Sequence, residues 1–307
     1  MKPLNGTGRA LSGLRMTKDD GFFPVAGGTL HFVDWGGDGP RAIIVHAAGL
    51  SAGTYAPLAH SLRFHLHTIG LDTRGHGQSD ATAEPQDLRD WEIFYDDLTR
   101  FLEEQSAPIV LVGHSMGGMV SLGVAARRPD LIRALVLIEP GIVPPSWTWW
   151  VRVAQQTGFW RSVPMISKAS KRRRAWSSRE AMAAELRRSG RFRRWNDRFL
   201  KAYIETASVV GAERAAHLRC DPAWEARCLA TPPTDAWRFL HGLTLPMLVL
   251  YGDRSKTFIP SVAARFQQEV PHATCICFAD TGHDLPMERP DQAISETIKF
   301  LKDRELV

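Results

Sequence analysis

The run IVLVGHSMGGMV, from Ile109 to Val120, limits what this chain can fold into more than any other segment. It opens with an apolar stretch of strand length, and an apolar helical pattern begins at Met116. Between them Gly113, Ser115 and Gly117 form a G-x-S-x-G pattern. A chain that leaves a buried strand and enters a helix within so few residues must turn sharply, which lifts the central serine above the sheet. Residues without a Cβ, two before and two after that serine, relieve the crowding of the turn. The helix directs its first N–H groups toward the space where negative charge would develop on a reacting group. The pattern alone is weakly specific; its place between strand and helix gives it weight.

The flanking sequence keeps the same rhythm. Phe22–Val25 and Thr29–Trp35 surround Gly27-Gly28, a hairpin signal. Short apolar runs at Arg41–Ala47, His65–Leu71, Ile109–Gly113 and Arg133–Glu139 read as strands. Helical patterns at Thr54–Leu62, Asp90–Glu104 and Met116–Arg127 separate them. Strands this apolar, alternating with helices, predict an α/β fold with a mostly parallel central sheet and helices on both faces. The rhythm stops at Pro140 and resumes with Pro246–Gly252, a helix over Ser261–Glu269, Thr274–Asp280, and a last helix over Pro290–Lys302. The segment between shows helical patterns and no clear strand. The expected organisation is a first core part over 21–140, an inserted helical cap over 141–243, and a second core part over 244–307.

Charge and aromatic content support that division. From Arg152 to Arg227 there are 18 Lys and Arg against 7 Asp and Glu; the whole chain carries +5, so the remainder is acidic by six charges. Eight of the ten tryptophans fall between Trp147 and Trp237. Such a break marks a separate structural unit. The basic run Lys171–Arg174, with Arg187, Arg188, Arg191, Arg193 and Arg194 beyond it, reads as a solvated helix face. No nucleic-acid-binding motif accompanies it, so no nucleic-acid partner is expected. No apolar stretch reaches bilayer-spanning length and the first twenty residues lack an apolar signal core, so a cytoplasmic protein without stable membrane insertion is expected. The four cysteines, Cys220, Cys228, Cys275 and Cys277, have neither disulfide-framework nor metal-ligand spacing and read as buried thiols. No metal or cofactor is expected.

Two further motifs join the elbow. LDTRGHGQSD, from Leu71 to Asp80, is similar to the D-x-R-G-x-G-x-S loop of the α/β-hydrolase superfamily. TGHDLPMERPDQ, from Thr281 to Gln292, is similar to that superfamily's G-H-x-x-x-x-E-R-P segment, which carries its catalytic histidine. VHAAGLSAGTY, from Val45 to Tyr55, stands in the place of its H-G-x oxyanion loop. The chain thus resembles the α/β-hydrolase superfamily over nearly all its length, apart from the first twenty residues. The resemblance implies an α/β-hydrolase fold with an inserted helical cap. It also implies Ser115 as nucleophile and His283 as the base that takes its proton. The oxyanion donors would be the N–H groups of Met116 and Ala48. Ala47 stands where the superfamily prefers glycine, and its N–H is the alternative second donor.

The acid departs from the family pattern. The superfamily usually has Asp three residues after the glycine that ends a strand such as PMLVLYG; after Gly252 that position holds Ser255. Two carboxylates are available instead. Asp253 follows Gly252 directly, and Glu139 ends the strand after the nucleophile helix, where some haloalkane dehalogenases and lactonases draw their acid. The chain order Ser, Glu, His favours Glu139, with Asp253 as the alternative acid. Trp147, Trp149 and Trp150 lie just past Glu139 and read as walls of an apolar substrate pocket or as cap-docking residues. Together these expectations describe a cofactor-independent serine hydrolase of a carboxylic ester or lactone of a largely apolar small molecule. Carbon–carbon bond hydrolysis, acyl transfer and a non-catalytic ligand receptor are the alternatives on the same fold.

Overall fold

The computed structural model of the protein describes residues 19–307. The reading of the N-terminus as lacking a secretory signal therefore falls almost wholly outside the described residues. The core begins with β1 (Asp19–Val25), β2 (Gly28–Gly36), β3 (Arg41–Val45), α1 (Ala56–Leu62), β4 (His67–Leu71) and α2 (Glu92–Glu103). It continues with β5 (Ile109–His114), α3 (Met116–Arg127) and β6 (Ile132–Ile138). After the insertion come β10 (Met247–Gly252), α9 (Pro260–Glu269), β11 (Thr274–Phe278), the short α10 (Leu285–Glu288) and α11 (Pro290–Asp303). The eight strands form one sheet in the order β1-β2-β4-β3-β5-β6-β10-β11. The pairs from β4 to β11 are parallel, while β2 runs antiparallel to both β1 and β4.

Period-two alternation explains the two-faced core. Ile43, Ile109, Leu111, Leu135 and Val249 join one hydrophobic cluster, with Phe94 and Leu98 of α2 and Val120 of α3. Their neighbours Ala42, Ile44, Val110, Val136 and Leu250 join the other, with Leu58 of α1 and Phe300 of α11. All six residues of β5 are buried. The runs that became the inner strands β3, β5, β6 and β10 are therefore covered on both faces, while β11 is a half-exposed edge strand. The parallel arrangement brings the C-terminal ends of β3, β5, β6 and β10 to one edge of the sheet, where ligands of such folds meet their sites.

The insertion contains α4 (Thr148–Thr157), α5 (Pro164–Ser170), β7 (Ala175–Trp176), α6 (Arg179–Arg188), α7 (Asp197–Thr206), β8 (Ser208–Val210), β9 (Ala216–Leu218) and α8 (Pro222–Ala230). The expectation of a strandless cap is corrected by β7, β8 and β9, which form a small antiparallel sheet in the order β7-β9-β8. At two or three residues each they are too short to produce a periodic signal. The basic face needs a second correction. Arg172, Arg173 and Arg174 pair with Glu225, Glu185 and Asp221, and Arg187, Arg191 and Arg194 pair with Asp197, Asp284 and Glu288. The cysteines divide as well: Cys220 and Cys228 are buried, Cys275 is half-buried, and Cys277 is exposed on the edge strand β11.

The cap also shares the core. Trp224, Cys228, Trp237 and Leu240 belong to the cluster on the α2 and α3 side. Trp176, Met182, Phe192, Phe199 and Tyr203 belong to the one on the α1 and α11 side. Removing residues 141–243 would expose apolar surface on both faces of the sheet, at about 25 cal/mol per Å². A chain with that segment replaced by a short linker should therefore aggregate or lack cooperative unfolding, as read by gel filtration and thermal circular dichroism. A monodisperse, cooperatively melting product would show the cap to be separable.

Candidate active site

The elbow is built as the glycine spacing requires. Ser115 sits between β5 and α3 at φ 54°, ψ −112°. Such a conformation is rare for a residue with a side chain and is kept only where its surroundings enforce it. The Ser115 N–H donates to the Ile138 carbonyl at 2.9 Å, and its carbonyl accepts the N–H of Met119 at 3.1 Å. A Cβ at Gly113 would lie 2.5 Å from the Gly117 carbonyl oxygen, and one at Gly117 would lie 2.1 Å from that of Val45. No other residue type fits either position without moving backbone.

Three side chains from distant parts of the sequence meet at this turn. His283 Nε2 lies 2.9 Å from Ser115 Oγ, and His283 Nδ1 lies 3.1 Å from Glu139 Oε2. Glu139 follows β6 at φ 48° and has no exposed surface. A carboxylate so placed needs donors. Gly252 N–H donates to its Oε1 at 2.6 Å, and the Ser255 hydroxyl donates to its Oε2. The Ser255 oxygen in turn accepts the N–H of Thr257 at 3.1 Å and of Phe258 at 3.3 Å. Asp253 faces elsewhere: its Oδ1 accepts the Thr281 N–H at 3.2 Å, and its own N–H donates to the Phe278 carbonyl at 3.0 Å. It braces the turn that leads to the histidine and makes no hydrogen bond to the histidine ring.

The loop after β3 leaves different amides available. The Ala47 N–H donates to the Tyr55 hydroxyl at 3.2 Å, so it is already engaged. Among the described residues no acceptor faces the N–H of Ala48 or of Met116. The Tyr55 hydroxyl donates to His114 Nδ1 at 2.6 Å, and His114 Nε2–H donates to the His283 carbonyl at 2.9 Å. Burial, with His283 nearby, pushes the His114 pKa down to about 3. The ring is therefore neutral at pH 7, with one nitrogen donating and the other accepting. His46 lies beneath the same loop, its Nδ1–H donating to the Ala47 carbonyl at 2.8 Å and its Nε2 accepting the Thr73 N–H at 2.9 Å. Burial lowers its pKa as well.

The sequence profile of the alpha/beta hydrolase family matches residues 42–297. The chain is an α/β-hydrolase. Over 114 residues it is 34% identical to the (E)-2-((N-methylformamido)methylene)succinate hydrolase of Acinetobacter baylyi, a match covering 36% of this chain and 41% of that protein. Over 109 residues it is 38% identical to the monoglyceride lipase of Mus musculus, covering 33% of this chain and 35% of that one. Each match therefore spans less than half of the relative's length. The crystal structure of E-2-(acetamidomethylene)succinate hydrolase is similar in fold, with a TM-score of 0.73 at 21% identity over 92% of this chain and 99% of that one.

One sequence expectation about this hydrolase is overturned. Trp147, Trp149 and Trp150 are each more than half exposed, so they do not dock the cap onto the core, and the open cleft that Trp150 lines with Val153, Ala154 and Phe159 includes none of Ser115, Glu139 and His283. The turn at Pro145–Trp147 and α4, which carry them, have no buried residue. The expectation of an apolar substrate rested on those rings and loses its support.

Several residues of the hydrolase's site had little or no sequence signal. His31 lies in no motif yet is buried, its Nδ1 2.7 Å from Asp72 Oδ2 in the D-x-R-G loop. Tyr55, Ser255 and Asp284 lie inside or beside motifs whose named positions are other residues. Asp284 is buried next to His283 and accepts Arg191 Nε at 2.9 Å, Arg191 Nη2 at 3.0 Å and Trp195 Nε1 at 3.1 Å. Burial alone would raise its pKa, but the Arg191 charge and hydrogen bonds outweigh that and hold it at about 2. Two more cap contacts flank the histidine: Arg194 Nε donates to Glu288 at 2.8 Å, and Asn196 N–H donates to the Met287 carbonyl at 2.8 Å.

The Asp284 pKa is depressed on folding, so its pairing stabilises the fold above the ordinary aspartate range, and that contribution is lost as pH falls toward 2. Arg191→Met should lower stability at pH 7 by about 2 kcal/mol, a buried-pair loss discounted because the Arg191 side chain is 34% exposed. Melting temperatures measured from pH 7 down to the acid limit should converge for variant and wild type. A constant gap across that range would assign the loss to packing instead.

Proposed function

We propose that the protein is a serine hydrolase that cleaves a carboxylic ester or lactone through an acyl-enzyme intermediate. The observation that carries this reading is the continuous hydrogen-bonded line from Ser115 Oγ to His283 Nε2 at 2.9 Å and from His283 Nδ1 to Glu139 at 3.1 Å. A serine hydroxyl is a poor nucleophile until a base takes its proton, and a base oriented by a carboxylate does so in the correct tautomer. Membership of the α/β-hydrolase family and the partial match to a monoglyceride lipase support ester chemistry.

In this mechanism His283 Nε2 takes the hydroxyl proton as Ser115 Oγ bonds to the substrate carbonyl carbon. The carbonyl π electrons move to oxygen, and the resulting oxyanion is received by the N–H groups of Met116 and Ala48. Glu139 accepts the hydrogen bond from Nδ1–H and offsets the imidazolium charge. His283 then returns its proton to the leaving alkoxyl oxygen as the carbon–oxygen bond breaks, leaving Ser115 acylated. Water enters, gives a proton to His283 and attacks the acyl carbon; the acyl carbon–Oγ bond then breaks, the acid leaves, and His283 returns the proton to Ser115 Oγ. In a lactone both products stay in one molecule. Every proton and electron pair is supplied by the chain, the ester and water.

The reading has two tests. A fluorophosphonate probe should label the wild-type protein and leave Ser115→Ala and His283→Ala unlabelled, because only an activated serine reacts. A folded wild type that stays unlabelled would point to a ligand receptor. In steady-state assays with short-chain esters, Glu139→Gln should lose roughly 10³-fold or more in kcat, and Asp253→Asn less than about tenfold. The opposite ranking would move the acid role to Asp253.

A further inference from the structure

The three exposed tryptophans belong to a larger surface. Between Pro140 and Arg179 the sequence contains no Asp or Glu, while eight Lys and Arg fall between those bounds, counting Arg179. The segment folds as a run of short elements: a turn at Pro145–Trp147, α4, a turn at Phe159–Ser162, and α5. On it Trp147 is 59% exposed, Trp149 61%, Trp150 65%, Phe159 68% and Met165 55%. These are large apolar side chains, and an exposed group of them on a soluble chain marks a contact surface.

The inner sides of the two helices are accounted for. Gln155 of α4 donates to the carbonyls of Ala230 and Pro232, and Arg152 donates to the Thr234 hydroxyl. Ile166 and Ala169 of α5 pack on Ala226 and Ala230 of α8. That leaves Trp149, Val153 and Thr157, one helical turn apart, on the other side of α4. Trp149 and Trp150 support each other edge to face, with centroids 4.5 Å apart. The segment's charge is only partly compensated. Arg172, Arg173 and Arg174 have acidic partners, but Arg152, Lys168 and Lys171 are exposed and form no ion pair among the described residues.

We propose that this face of the cap docks on an anionic lipid surface, with Trp147, Trp149, Trp150 and Phe159 entering the headgroup region and Lys168 and Lys171 facing the lipid phosphates. Tryptophan is suited to the headgroup level because its ring is apolar and its N–H is polar. A short helix needs both apolar insertion and basic attraction to stay on a membrane, and this segment supplies both. A second copy of the chain fits less well, since a two-fold contact would set the same unpaired basic residues against one another. Single-stranded nucleic acid would use the rings and the charge but would leave the exposed apolar Met165 without a role, whereas a lipid surface receives it beside the rings. The docking is peripheral: no helix of the described residues is long and apolar enough to cross a membrane.

The test uses the full chain with vesicles of phosphatidylcholine, alone and mixed with phosphatidylglycerol. Co-sedimentation should occur with the mixed vesicles, fall as salt rises, and be accompanied by a blue shift of tryptophan fluorescence. Trp149→Ser with Trp150→Ser, and separately Lys168→Glu with Lys171→Glu, should each weaken binding roughly tenfold or more while melting temperature is unchanged. The charge pair decides the matter if the tryptophan pair fails to fold. Absence of binding to either vesicle, or equal binding by the wild type and both variants, would overturn the proposal. So would a wild-type dimer that the tryptophan variant dissolves, or a fluorescence shift with oligothymidylate and not with vesicles.

Discussion

A fully buried carboxylate dictates how the parts of this site are arranged. Glu139 can remain at the end of β6 only if donors reach it, and they come from two separate segments: Gly252 at the end of β10 with Ser255 just past it, and His283 in the loop after β11. Satisfying that one group fixes the spacing between the two strand ends and draws the histidine loop over the sheet. The residue before Glu139 accepts the amide of Ser115, so the elbow is held by the same strand. The two strained backbones, at Ser115 and Glu139, thus brace one another across adjacent parallel strands.

The cap takes part in this arrangement. Arg191 and Trp195 hold the residue after the histidine, while Arg194 and Asn196 hold the last two residues of α10, Glu288 and Met287. On the other flank the Glu225 carboxylate of α8 lies where a Cβ on Gly49 would be, against the loop after β3. Part of the insertion's basic charge is therefore structural, matched to acidic residues of the cap and of the histidine loop. The acid-free stretch at its outer end is different in kind, because its exposed Lys168 and Lys171 have no such partners among the described residues.

The fold was legible because its signals are local and repeated. Six apolar runs, each bounded by helical patterns or turns, leave few alternatives to a parallel sheet, and the elbow fixes where it opens. Ser115 and His283 stand out because their glycine-flanked neighbourhoods carry a geometric demand. Glu139 was harder, since a strand-end acid looks the same whether or not a histidine reaches it. The cap defeated pattern reading for two reasons. Its strands are too short to show a period, and the burial of an aromatic residue depends on contacts across the whole chain. Trp176 and Trp224 are buried, whereas Trp147, Trp149 and Trp150 are exposed, and nothing in the neighbouring letters separates the two groups.

Ser255 occupies the position where most relatives of this superfamily keep their acid, and its hydroxyl meets the carboxylate oxygen that also faces His283. The ends of β6 and β10 are thus two mounting points for the same hydrogen bond, and the histidine is the fixed party. A lineage could transfer the carboxylate from one mounting point to the other without rebuilding the loop between them. It could not keep both charged at once, because two carboxylates that close repel and one would hold its proton. An uncharged hydroxyl opposite Glu139 avoids that repulsion and gives the carboxylate a donor instead. A search for active members of the family that required an acid after β10 would discard this chain while its serine, histidine and glutamate stand in line.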